Sequence, residues 1–306
     1  MMVETYRHSG RIGPLGIPLM VIGGLVSAII LGAIYAYGLA WIPLIYAALA
    51  LTAGLGAGIG FVVGTCGKLG NVRNPLIIGI FGLLAGLVGL ATAWCFDATA
   101  KFPEDIQGPI LDAQTLERYV KSCYENGTWG LGNAGAAVSG VFLGCVWAAE
   151  ALTILGLSFV VARMVTASTP FCEQCMKWTS LQGDYARLFP PENDNSAVDS
   201  LCNGDVASIN QFTKAPASAG AYLRLDVAEC GACDQCNCVS VALAEVTEDK
   251  NGDHQINTTL LTEHMMLPGE AMTSLKEQVD QLEVASTTEL SAETEQGIND
   301  DDEEQV

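Results

Sequence analysis

Histidine is scarce in this sequence: His8, His254 and His264 are the only three in 306 residues. General-base catalysis by histidine therefore has few candidates. No Ser/His/Asp set, HExxH helix motif or GxxxxGK[ST] phosphate loop occurs either, which removes the common hydrolase, zincin and nucleotide-binding readings. Basic residues are few as well, 14 Lys and Arg against 34 Asp and Glu, for a net charge of −20. An excess of this sign is repelled by nucleic acid and by anionic headgroups, so no nucleic-acid partner is expected. Charge of either sign is missing from long stretches of the N-terminal half.

Those totals conceal two bodies. Residues 1–163 carry eight basic and eight acidic side chains, while 164–306 carry the remaining six basic and 26 acidic ones. A neutral, apolar half followed by a polar, acidic half indicates two domains in two solvents. Four runs are long and apolar enough to cross a bilayer, which takes about 20 residues: 17–38, 42–64, 75–96 and 138–162. The first three lack Asp, Glu, Lys and Arg, and Pro18, Pro43 and Pro75 fall near their starts, where a missing N–H costs little. A cleaved signal peptide is a poor reading of the first run, whose length exceeds the usual h-region of about 7–15 residues.

Arg7, Arg11, Lys68, Arg73, Arg163 and Lys177 flank one end of these spans; Lys101, Arg118 and Lys121 flank the other. The positive-inside bias then places both termini in the cytoplasm of a multi-pass cell-membrane (inner or plasma membrane) protein. Small residues recur at helical spacing, as in Gly24/Ala28/Gly32 and Gly56/Gly60/Gly64. In lipid such faces let backbones approach closely, so a compact four-helix bundle is expected, with homo-oligomer formation as an option. Glu150 breaks the apolar pattern of the fourth span in "CVWAAEALT". An intramembrane carboxyl is a functional candidate for a proton or cation pathway, but spans with these bounds offer it no ionisable relay partner. A protonated Glu150 bonded to Ser27, Thr52, a tyrosine or a carbonyl explains it equally well. In the 97–137 loop, Leu116, Tyr119, Val120, Cys123 and Tyr124 space out a short amphipathic helix over about 112–125.

The second body is marked by its cysteines. "FCEQCMKW" holds Cys172 and Cys175; "ECGACDQCNCVSV" holds Cys230, Cys233, Cys236 and Cys238. Two CxxC turns in one soluble segment suit a tetrahedral zinc site. Cys172, Cys175, Cys230 and Cys233 are the expected ligands, with Cys236 and Cys238 as alternates. Redox use is the rival reading, but a reactive thiol needs nearby positive charge or a helix N-terminus, and the neighbours here are Glu173, Glu229 and Asp234. Thiols this dense stay reduced in the cytosol, in agreement with the charge-based orientation. Strands are expected at 221–227 and 238–246, a hairpin turn at Asn251-Gly252, and a return strand through "QINTTLL". Residues 192–214 read as a helix-compatible insertion between the two turns. Met272, Leu275, Val279 and Leu282 mark one face of a final helix, and 285–306 is an acidic tail too poor in apolar residues to fold.

The stretch "YAYGLAWIPLIY" (35–46), the Gly-rich second span, the "KLGNVRNP" loop and "FCEQCMKW" resemble uncharacterised bacterial multi-pass membrane proteins with a cytosolic CxxC module. That resemblance implies no activity. The paired turns also resemble zinc ribbons, a fold used for scaffolding, docking and nucleic-acid contact; the acidic setting departs from the last of these. The expected architecture is an α-helical four-span transmembrane bundle (1–163), a cytosolic α+β zinc-ribbon-like domain (164–284) and a disordered acidic tail (285–306). The expected role is non-enzymatic: a structural zinc domain that docks protein partners at the membrane face. A transporter component using Glu150 and a membrane thiol oxidoreductase are the alternatives.

Overall fold

A computed structural model describes residues 4–42, 45–101, 111–127, 138–191, 195–248 and 254–284. The chain forms two compact units: His8–Ser168, and Thr169–Val306 joined by Met1–Arg7.

The first unit contains four helices long and apolar enough to cross a membrane: α1 (Gly16–Trp41), α2 (Ile45–Leu69), α3 (Pro75–Lys101) and, after the short α4 (Ala113–Asn126), α5 (Gly140–Ala167). Their starts follow the proline and cap signals, since Asn74 Oδ1 accepts the Ile77 N–H just after Pro75. Their C-terminal ends run three to five residues past the expected limits, through Lys68 in α2, Asp97 in α3 and Arg163 in α5, since a charged side chain does not by itself stop a helix. Along α1, Met20, Gly24, Ala28 and Gly32 are buried while Ile22, Val26, Ile30 and Ile34 are exposed. Both rows step by four, so one face meets helices and the other is a stripe of branched apolar side chains suited to lipid. Helix α1 packs on α2 and α3, and α5 packs on the same two, leaving α1 and α5 at opposite corners.

Small residues set how close the helices come. A Cβ placed on Gly60 of α2 would stand 2.7 Å from the Ser158 carbonyl oxygen of α5, and one on Gly82 of α3 would stand 2.4 Å from that same oxygen. Ser158 is fully buried at this crossing, and its hydroxyl donates to the Gly56 carbonyl at 3.0 Å. Between α1 and α3, the Thr92 hydroxyl donates to the Ala28 carbonyl at 3.0 Å. Helix association without a hydrophobic drive rests on such close packing and interhelical hydrogen bonds. As expected, α4 is amphipathic: Tyr119 and Cys123 are buried against Ala98, with Trp94 and Trp147 beside them.

The second unit is α+β. A two-stranded hairpin, β1 (Phe171–Cys172) and β2 (Lys177–Trp178), leads into β3 (Ser180–Phe189). Then come α6 (Asn195–Cys202), a 3-10 turn (Val206–Gln211), β4 (Thr213–Lys214), β5 (Ala221–Glu229), β6 (Asn237–Glu248), β7 (His254–Leu267) and α7 (Gly269–Gln281). The five longer-range strands form an antiparallel sheet in the order β4-β3-β5-β6-β7. Alternate residues of the central strands, among them Leu223, Leu225, Val227, Val239 and Val241, face one core with Met272, Leu275 and Val279 of α7 and Leu201 and Ile209 of the insertion. The β5, β6, β7 and α7 expectations match these elements. Strand β3 was not expected, and the sheet is wider than a minimal ribbon. The Asn251-Gly252 turn and the 285–306 tail lie outside the described residues.

Two substitutions test this packing. Gly60→Val should cost the bundle about 1–3 kcal/mol or more, because its new methyls meet backbone rather than a side chain that can yield; a lowered melting temperature in detergent is the readout. Leu275→Ala should destabilise the second unit by about 2–5 kcal/mol. Faster amide exchange in β5, with unchanged exchange in α2, would report that loss.

Candidate metal centre

The sulfur atoms of Cys172, Cys175, Cys230 and Cys233 all lie within 4.8 Å of one another. Those four cysteines could hold a metal ion. The Cys172 and Cys233 sulfurs are 3.6 Å apart. Four thiolates at about 2.3 Å from one tetrahedral zinc would stand roughly 3.8 Å from each other, so the spacing has the size of a single-ion site. A polynuclear iron–sulfur cluster would need to spread the four thiols further.

Strand register brings the two turns together. The first turn ends just before β3 and the second begins just after β5. Those strands are antiparallel neighbours, with Ser180 paired to Glu229. The first residue of one strand therefore faces the last residue of the other, and both CxxC turns emerge at the same sheet end. A slip of one residue would turn the side chains over and separate the thiols.

Each turn is shaped locally. In the first, Phe171 pairs with Trp178 and Cys172 with Lys177, and Met176 takes φ +52° to turn the chain after Cys175. The Thr179 hydroxyl and N–H both donate to the Pro170 carbonyl, closing the hairpin's base. In the second, the Cys233 N–H donates to the Cys230 carbonyl at 3.3 Å and the Cys230 N–H to the Cys236 carbonyl at 3.1 Å. Helix α7 braces this second turn. Gly269 comes so close to Asp234 that a Cβ there would stand 2.8 Å from the Asp234 Cβ, and Lys276 is ion-paired to Glu229, the residue before Cys230.

Sequence reasoning missed one supporting group. Residues 4–6 lie along the β7 edge: the Tyr6 N–H donates to the His264 carbonyl, and the Glu4 carbonyl accepts the Met266 N–H. The Tyr6 hydroxyl then accepts the Phe171 N–H at 3.0 Å and donates to the Phe171 carbonyl at 3.4 Å. Burial pushes this phenol up to about 12, so it stays a donor throughout the neutral range. The only sequence signal was a tyrosine in a short polar segment about 165 residues from its partner, which no local pattern could have flagged.

The thiols do not titrate alike. Burial holds Cys172 above its ordinary value, and hydrogen bonding with the Cys233 thiol, ahead of burial, pushes Cys175 up to about 12. Burial also pushes Cys230 upward, but the Ala232 N–H and the surrounding thiols outweigh it and leave Cys230 at about 7. One thiolate therefore forms readily, stabilised by the other thiols rather than by a helix N-terminus, since both turns leave strands. Cys172 and Cys175, by contrast, give up their protons less readily than an ordinary thiol.

The alternates are close by. Cys236 is buried against Cys172 and Cys230, with Cys175 and Cys233 beside them. Cys238 is buried in β6 with its thiol hydrogen-bonded to that of Cys236. Cys202 packs on the domain core, away from this cluster.

The second candidate, Glu150, is half-buried in α5. Here the expectation that no ionisable group accompanies it needs correction. Helix α3 continues through Asp97 to Lys101, and Asp97 lies within electrostatic reach of Glu150. The Tyr119 hydroxyl donates to Asp97 Oδ2 at 2.6 Å, and Trp94 stands edge-on to Trp147 at 4.9 Å. Ser27 and Thr52 instead donate to carbonyls of their own helices. The chain matches no known protein-family model, no curated protein and no solved structure.

Two outcomes follow. Tyr6→Phe leaves the Phe171 N–H without its acceptor and should cost about 1–3 kcal/mol, seen as faster metal release to a chelator with the ligand set unchanged. Because Cys172 and Cys175 carry protons near neutrality, an ion must displace them. Apparent metal affinity should therefore rise between pH 6 and pH 8, roughly tenfold per pH unit for each proton displaced; competition with a chromophoric chelator at several pH values measures it.

Proposed function

We propose that this protein is a non-enzymatic, multi-pass membrane protein whose four-helix bundle anchors a structural zinc domain on the cytosolic side, where that domain docks protein partners. The observation that carries the reading is the closure of two CxxC turns, distant in sequence, into one four-cysteine constellation. Zinc is the favoured ion because a closed all-sulfur tetrahedron with no open position suits a metal that holds structure rather than one that activates water. The thiols sit on two short turns rather than inside the main apolar core, so ligand binding would contribute directly to folding.

Orientation rests on charge. Arg11, Lys68, Arg73 and Arg163 belong to the end of the bundle where α1 and α3 start and α2 and α5 finish. A cytosolic domain with 26 acidic and six basic residues in 164–306 favours partners with basic surfaces and disfavours nucleic acid. Protease treatment of sealed vesicles tests the placement: the zinc domain should be cleaved in inside-out vesicles and protected in right-side-out ones. The reverse pattern would remove the cytosolic reading.

A second reading, a proton- or cation-coupled transport component, is favoured by Glu150 lying within electrostatic reach of Asp97 near the α4 end of the bundle. Under the docking reading, proteoliposomes show no proton flux above protein-free vesicles, and Glu150→Gln changes nothing. Flux abolished by Glu150→Gln would favour transport.

A further inference from the structure

The cluster contains more sulfur than one ion can use. Three cysteines in it are buried, Cys172, Cys230 and Cys236, and two more, Cys175 and Cys233, flank them. The sixth, Cys238, lies at the start of β6 opposite Ala228, and Cys236, just before that strand, lies opposite Cys230, whose N–H its carbonyl accepts. Two-residue spacing in this register puts both on one face. Its thiol meets that of Cys236, and the Cys236 thiol meets that of Cys172. If Cys236 and Cys238 were filling space as small apolar residues, carbon would surround them; instead, Cys236 is packed among sulfurs. The buried members of the four-thiol set, Cys172 and Cys230, are the two that face it.

We propose that the six cysteines form a dinuclear site for soft d10 cations, zinc or its analogue cadmium, in which Cys172 and Cys230 bridge two ions. Cys175 and Cys233 complete the first ion's tetrahedron, and Cys236 and Cys238 complete the second. Two four-coordinate ions need eight ligand positions, and six thiolates with two shared supply that number. The second ion displaces the protons of Cys236 and Cys238 to buffer. One dipositive ion replaces two protons, so the formal charge of this buried region does not change, and no new uncompensated charge enters the interior. The inference rests on the four-thiol reading above and extends it.

Cadmium titration of the metal-free full chain in detergent, followed by thiolate-to-cadmium ultraviolet absorption and by cadmium-113 NMR, tests it. The expected result is saturation at two ions per chain with two sulfur-ligated resonances. A Cys236→Ala/Cys238→Val double variant, which keeps the packing apolar, should saturate at one ion and keep one resonance. A wild-type chain that saturates at one ion overturns the dinuclear site while leaving the four-thiol site standing. Two ions in the double variant overturn it as well, because the second ion would then lie elsewhere. A wild-type chain that binds none removes the four-thiol reading, and this one with it.

Discussion

The structure of the second unit depends on one pairing, Ser180 with Glu229 across β3 and β5. It holds the two thiol turns, about 55 residues apart in sequence, at the same sheet end. Closing a loop of that length costs roughly 3–4 kcal/mol of chain entropy. Structural zinc contributes roughly 10–16 kcal/mol in small domains. Ion binding can therefore offset loop closure with a wide margin, while the sheet sets which thiols meet. Around that point sit supports from two other parts of the chain: Tyr6 on the first turn, and α7, which places Gly269 against the second turn and Lys276 on Glu229. These come from opposite ends of the unit's sequence, so the site samples the folding of the whole unit.

The bundle obeys a different constraint. Its helices cannot gain by hiding apolar surface from one another in lipid, so contact depends on how closely backbones approach. Ser158 occupies one such close crossing, approached from α2 by Gly60 and from α3 by Gly82, with its hydroxyl bonded to the Gly56 carbonyl. The outward rows of Ile and Val are left for hydrocarbon. At the α4 end the packing turns aromatic and polar, with Trp94, Trp147, Tyr119 and Asp97 gathered near Glu150. A carboxyl so placed has a second carboxyl within electrostatic reach on α3, which spans ending at residue 96 would have denied it.

Much of this was legible in the sequence. Four spans, the amphipathic α4, strands β5 to β7 and helix α7 follow from hydrophobic period and length, and the four clustered thiols follow from paired CxxC spacing. What was not legible has physical causes. Strand β3 hides because its alternation breaks where Asp184 takes φ +56° and the register shifts between Gln182 and Ala186. That bulge is held by the Asp184 N–H donating to Asp226 on β5, a contact no local window contains. Tyr6 is invisible for the same reason, being tied to Phe171 only by the fold. Asp97 was misplaced because hydropathy ends a span at the first charge, whereas a helix continues until its backbone is capped. The gathering of Cys236 with Cys172 is likewise tertiary, since spacing alone offered it only as an alternate.

X-ray absorption at the zinc edge of the purified full chain tests the central claim most directly. The account predicts a shell of four sulfurs at about 2.3 Å around each zinc. A shell containing nitrogen or oxygen ligands, or a folded protein that carries no zinc, would contradict it.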